Sequence, residues 1–149
     1  MTRNARGPVV LDASAVLGWR DDEPGSHLVD QVLERGVISA VNLGEVEYKI
    51  AEFGDDPAAF TADLAALGVV FLPFTATHSR LLPELKALDL ATRRRRANAG
   101  TPLPKGRKLS LGDLCCLATA IDLAAPVLTG DRYWTALELP IKVTDYRTG

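Results

Sequence analysis

The stretch Val9-Val10-Leu11-Asp12-Ala13-Ser14 decides how this chain is read. Three consecutive apolar residues without polar alternation describe a short strand covered on both faces, as in a parallel sheet flanked by helices. Asp12 and Ser14 follow at its carboxyl end, the edge that faces the ligand crevice in open α/β sheets. Working outward, similar short apolar runs occupy residues 37–41, 69–72, 126–129 and 141–144. Between them lie helical spacings: Ser26 as cap for a helix to about Arg35, Asn42 as cap for residues 43–53, then residues 58–67, 77–88 and 110–124. Strands alternating with helices predict one three-layer α/β/α domain with a mostly parallel sheet of about five strands.

The 149 residues suffice for one well-formed core and fall short of two ordinary domains. Composition is globular, 47% apolar and 24% charged, and a formal net charge of -2 points to neither nucleic acid nor membrane. The distribution of charge is more informative. Residues 80–108 hold nine Lys and Arg against Glu84 and Asp89, so the rest of the chain is strongly acidic. An acidic centre beside a basic surface would hold a polyanion over carboxylates. Periodicity stops over residues 91–108, which read as an exposed basic linker or flap whose arginines extend the preceding helix. Residues 1–8 read as a flexible arm ahead of a domain over residues 9–149. Cys115 and Cys116 are adjacent, without zinc-site spacing, and read as reduced thiols, one on a packing face and one nearer the flank. No segment has membrane-spanning or signal-peptide character, so a cytoplasmic location is expected.

Asp12, Glu45, Asp113 and Asp131 stand at four comparable junctions, two directly after strands and two in first turns of helices. Right-handed crossovers bring such junctions to one edge of the sheet. Each residue has a structural role available: an Asx turn for Asp12, a capping box with Asn42 for Glu45, a Ser110 cap for Asp113 and a turn for Asp131. Four carboxylates on one edge nevertheless repel, and are tolerated mainly when a cation or a shared proton neutralises them. Oxygen-only ligands favour Mg²⁺ or Mn²⁺ over Zn²⁺. His27 and His78 lack neighbours for a zinc motif, and no phosphate-binding glycine loop is present. Ser14 lacks a nucleophile elbow and reads as a supporting contact.

Four segments together resemble the successive motifs of PIN-domain ribonucleases, most similar to VapC-type toxins. They are Val-Leu-Asp-Ala-Ser-Ala at 10–15, Asn-Leu-Gly-Glu-Val at 42–46, Leu-Ser-Leu-Gly-Asp at 109–113 with Cys-Leu-Ala at 116–118, and Val-Leu-Thr-Gly-Asp-Arg at 127–132. The resemblance spans residues 9–144. It implies a PIN-like domain in which Asp12, Glu45, Asp113 and Asp131 are catalytic and bind Mg²⁺ or Mn²⁺, with Ser14, Asn42 and Thr129 supporting them. It further implies an endoribonuclease acting on RNA such as tRNA or rRNA, a cognate VapB-like antitoxin and a homodimer. The segment before Leu109 is longer and more basic than is usual for the family. Arg93, Arg94, Arg95, Arg96, Lys105, Arg107 and Lys108 are therefore candidates for contact with the RNA backbone, or with the antitoxin. A DNA nuclease or phosphatase using the same carboxylates, and a non-catalytic binding module, are the alternatives.

Overall fold

The computed structural model describes residues 6–104 and 107–148. Its centre is a sheet of five strands in the order β3-β2-β1-β4-β5. The strands are β1 (Val9–Leu11), β2 (Gly36–Ser39), β3 (Val70–Leu72), β4 (Val127–Thr129) and β5 (Val143–Asp145). All four pairings are parallel, with Val10 opposite both Val37 and Val127. Strand order reverses at β1, where the chain steps outward through β2 and β3 and then returns on the other side as β4. The crevice at the carboxyl ends of β1 and β4 is thus the topological switch point, the usual ligand position in such sheets.

Alternation along the short strands divides the core. Val9, Leu11 and Ile38 point to one face, where α1 (Ala13–Arg20), α2 (His27–Asp30), α3 (Ala40–Glu52) and α4 (Pro57–Ala66) supply Val16, Val29, Val46 and Leu64. Val10, Val37 and Val127 point to the other, against α6 (Leu82–Asn98), α7 (Leu111–Leu123) and Trp134 of the 3₁₀ helix Arg132–Ala136. The one-turn helix α5 (Ala76–Ser79) also packs on α7. These are the three layers expected from the sequence.

Several boundaries differ from expectation, each for a local reason. The third helix begins at Ala40, because the Ser39 hydroxyl accepts from the Val41 amide at 3.3 Å; Asn42 lies inside the helix and caps nothing. Glu45 consequently sits in the second turn. The expected helix from Ser26 breaks into α2 and a 3₁₀ turn at Leu33–Arg35. The expected helix from Thr77 is divided at Arg80 and Leu81, and Pro83 occupies the first turn of α6, where its missing N–H costs nothing. Both cysteines are buried, contrary to the flank position expected for one, because α7 is enclosed from Leu114 through Ala120.

The arginines of 93–96 do extend a helix. Helix α6 runs to Asn98, and its buried positions are Leu85, Asp89 and Thr92. Asp89 is fully enclosed. It accepts from the Tyr133 hydroxyl at 2.6 Å, from Arg93 Nε at 3.3 Å and from the Leu109 amide at 3.4 Å. Burial alone would raise the Asp89 carboxyl, but Tyr133 and Arg93 outweigh it and hold the group below the usual carboxylate range. One buried carboxylate thus ties α6 to the chain entering α7 and to the 3₁₀ helix. Replacing it leaves those donors poorly matched, so Asp89→Asn should lower unfolding stability by about 1–3 kcal/mol. Urea denaturation measures this, and an unchanged midpoint would refute it.

Candidate functional site

Asp12 is the residue at which β1 ends, and its backbone already accepts the first amides of α1. Its side chain is 5% exposed, and its Oδ2 accepts from the Ser14 hydroxyl at 2.6 Å and the Thr129 hydroxyl at 2.9 Å. Ser14 in turn accepts from the Gly130 amide at 2.8 Å, and Thr129 accepts from the Asp131 amide at 3.0 Å. Two hydroxyls therefore stitch the end of β1 to the loop after β4, across 115 residues of sequence.

Glu45 and Asp113 approach from α3 and α7. Asn42 Nδ2 donates to Glu45 Oε1 at 2.7 Å and to the Gly112 carbonyl at 3.0 Å, so one buried amide fixes the glutamate and joins the two helices. The Asn42 Oδ1 is buried without a partner. Asp113 forms a capping box with Ser110: its Oδ2 accepts from the Ser110 amide at 2.8 Å, and its own amide donates to the Ser110 hydroxyl at 3.1 Å. Asp131 caps the 3₁₀ helix by accepting from the Tyr133 amide at 3.0 Å. It also accepts from Arg107 Nη1 at 3.3 Å.

The four carboxylates feel one another. Burial pushes the Asp12 carboxyl up to about 6 against its two hydroxyl donors, and the Glu45 charge adds to the rise. Burial likewise lifts Asp113 to about 6, against its bonds to Ser110, with Asp12 and Asp131 adding repulsion. Glu45 is raised by burial and by Asp113, opposed by Asn42. Beneath them the Cys116 thiol is driven well upward by burial and then by the charges of Asp12, Asp113 and Glu45. As placed, no group of three or more Asp, Glu, His or Cys side chains among the described residues is arranged to hold a metal ion.

Comparison with known proteins was made against this geometry. The family described as "PIN domain" matches residues 9–138, most of the chain and all four junctions. The chain belongs to the PIN-domain family. Among solved structures, VapBC2 from Rickettsia felis, bound to a DNA fragment from its promoter, is similar at TM-score 0.58 and 14% identity, over 91% of this chain and 96% of that one. DNA-bound VapBC from Salmonella typhimurium gives 0.59 and 17%, over 95% and 99%. FitAB bound to the IR36 DNA fragment gives 0.60 and 16%, over 93% and 95%. At these identities the likeness is one of fold. No curated protein gives a significant sequence match.

Within this PIN domain the basic residues are dispersed. Arg93 is committed to Asp89, Arg95 Nη2 donates to the Thr92 hydroxyl at 3.4 Å, and Arg96 Nε donates to the Thr101 carbonyl at 3.1 Å. Arg94 and Lys108 are exposed, and Lys105 lies outside the described residues. Among the described basic residues only Arg107 reaches one of the four carboxylates. Sequence reasoning missed Arg132, Tyr133 and Asp89, which look like surface, core and helix-face residues respectively. It also missed Gly112, although a glycine in the first turn of an otherwise strong helix is a detectable signal. A Cβ there would stand 2.5 Å from Glu45 Oε1.

Raised folded-state pKa values mean that the native protein keeps protons which the unfolded chain has lost, so metal-free stability should fall as pH rises from about 4 to about 6 and then level off. Asp12→Asn removes that penalty, and should stabilise the metal-free protein at pH 7 by about 2 kcal/mol; thermal unfolding at pH 4 and 7 checks both, and a destabilised variant would contradict them. Gly112→Ala should keep the unfolding midpoint near wild type, because alanine favours the helix. It should nevertheless displace the Glu45 carboxylate, visible as a shifted Glu45 titration by NMR.

Proposed function

We propose that this PIN-domain protein is a Mg²⁺- or Mn²⁺-dependent endoribonuclease, the toxin of a type II toxin–antitoxin pair. The observation that carries this reading is the convergence of Asp12, Glu45 and Asp113, buried or half-buried carboxylates raised first by burial and then by one another's charge, with Asp131 adding to Asp113. Their chemistry fits a hard divalent cation: all donors are carboxylate oxygens, and like-charge crowding with raised pKa values is what such an ion relieves. Asp12, Glu45, Asp113 and Asp131 are the residues that would hold it. Bound there, it would supply an acidified, oriented water and offset charge on the phosphoryl oxygens.

The remaining roles belong to the protein. Ser14 and Thr129 clamp Asp12 Oδ2 and fix its rotamer, and Asn42 does the same for Glu45. Arg93 to Arg96, Lys105, Arg107 and Lys108 provide a basic margin that attracts the RNA backbone without reading its sequence. The VapBC and FitAB likenesses support a partnership with a VapB-like antitoxin and a homodimer. Localisation in the cytoplasm accords with this reading, and no described helix is long and apolar enough to cross a membrane.

The test is a panel of tRNA, rRNA and single- and double-stranded DNA with the purified protein and Mg²⁺ or Mn²⁺, followed by sequencing of the cut ends. RNA cleavage is expected, with Asp12→Asn and Asp113→Asn each lowering it roughly 100-fold or more while remaining folded. Undiminished cleavage by both variants would remove the site assignment. Cutting of DNA alone would change the substrate class, and a calorimetric titration without divalent-ion binding would favour a non-catalytic module. Light scattering should give twice the chain mass, and a monomer would remove the dimer.

A further inference from the structure

A cleft of about 390 Å³ is lined by three arginines, one of which, Arg107, donates to Asp131. Arg96 comes from the last turns of α6, Arg107 from the segment leading into α7, and Arg132 from the first residue of the 3₁₀ helix. They converge from three separate parts of the chain. Leu103 and Tyr133 form an apolar wall between them, and Thr135 completes the rim. Of these three arginines, only Arg107 has an acidic partner among the described residues, Asp131 at 3.3 Å. Arg96 spends its Nε on the Thr101 carbonyl, which leaves its terminal nitrogens uncommitted. Among the described residues the Arg132 side chain has no hydrogen-bond or ion-pair partner, and Thr135 donates to its carbonyl at 2.7 Å.

Three like charges around one concavity repel unless an anion lies among them. Planar guanidinium forks match the paired oxygens of a phosphate, and the Leu103–Tyr133 wall suits the less polar sugar or base attached to it. Arg107 is common to this cleft and to the carboxylate cluster, so a chain lying over Asp131 continues directly into the cleft. A repeating phosphate backbone has an anionic group at each step to fill both places.

We propose that Arg96, Arg107 and Arg132 form a binding pocket for one backbone phosphate of RNA, flanking the phosphodiester held at the carboxylates. This rests on the nuclease reading for the identity of the neighbouring site, but the pocket can be tested apart from it. Arg132 belongs to it although its place after Asp131 in the sequence does not mark it as an anion-binding residue. Arg94, on the same helix but outside the cleft, does not.

The probe is a fluorescein-labelled uridine dodecaribonucleotide, titrated by anisotropy in EDTA over a salt series so that cleavage does not enter. Arg96→Gln and Arg132→Gln should each weaken binding about 3- to 10-fold near 0.1 M salt and flatten the logarithmic salt dependence by about 0.7, the value for one lost single-strand phosphate contact. Arg80→Gln, exposed and just before the opposite end of α6, should match wild type. Equal losses in all three variants would mean general charge rather than a pocket, and no loss in either pocket variant, or no binding by wild type, would overturn the proposal. So would variants that keep RNA affinity but lose binding to a polyglutamate peptide, which would assign the cleft to a protein partner. Cleavage measured in parallel with Mn²⁺ separates the two readings. Loss of RNA affinity in a protein that cuts no RNA would leave the pocket standing and remove the nuclease. Cleavage with unchanged affinity in the pocket variants would do the reverse.

Discussion

Electrostatic repulsion among carboxylates at the switch point of the sheet is the constraint to which the surrounding structure answers. Asp12 is nearly enclosed, yet among the described residues no basic side chain contacts it; two hydroxyls and the helix backbone support its charge. At about 1.4 kcal/mol per pKa unit, the rise of Asp12 and Asp113 to about 6 is a cost the metal-free fold bears at neutral pH. A cation bound among them would remove that cost, which is large beside a domain stability of about 5–15 kcal/mol. The hydrogen bonds nearby serve geometry as much as energy. Ser14 and Thr129 lock one strand end to another, and Asn42 spans α3 and α7, so the repelling groups cannot simply swing apart.

That arrangement needs a rigid support, and α7 provides it. The helix packs on β1 and β2 and also contacts α3, α5 and α6, and every residue from Leu114 to Ala120 is buried. Adjacent Cys115 and Cys116 are both inside because the helix has no solvent face along that length. Asp113 stands on the first turn just outside the buried run, where it caps its own helix and still faces Asp12. Gly112 beside it is the necessary gap: with any side chain there, Glu45 would lose its place against the helix. Capping and candidate ligation are therefore compatible duties of one residue, and the structural and functional readings of Asp113 do not compete.

How much of this could be read from the chain depended on which physical signal was local. Apolar runs at β1 and β4, with Asp12 and Asp131 following them, declare both strand and edge, because handed crossovers leave little choice of where parallel strands end. The start of α3 was not legible. Ser39 and Asn42 are both good caps, three residues apart; Ser39 takes the cap, and Asn42 within the helix instead places its amide between Glu45 and the Gly112 carbonyl. Helix α6 was hidden for a different reason. Its inward face beyond Leu85 is Asp89 and Thr92, so apolar periodicity ends where the helix does not. Arg132 was invisible because its importance comes from the approach of Arg96 and Arg107, which no spacing in sequence encodes.

The polar inner face of α6 also explains how an acidic centre and a basic surface come to lie in register. An arginine-rich helix packed through leucines alone would slide against its neighbours at little cost. Asp89 prevents this by accepting at once from Tyr133 and from the Leu109 amide. Tyr133 is the residue whose own amide donates to Asp131, and Leu109 immediately precedes the Ser110 cap of Asp113. Any shift of α6 would therefore disturb Asp113 and Asp131 together, and would carry Arg96 with it. The buried charge is costly, as buried charges are, and what it secures is a fixed relation between the cations of α6 and two of the four carboxylates.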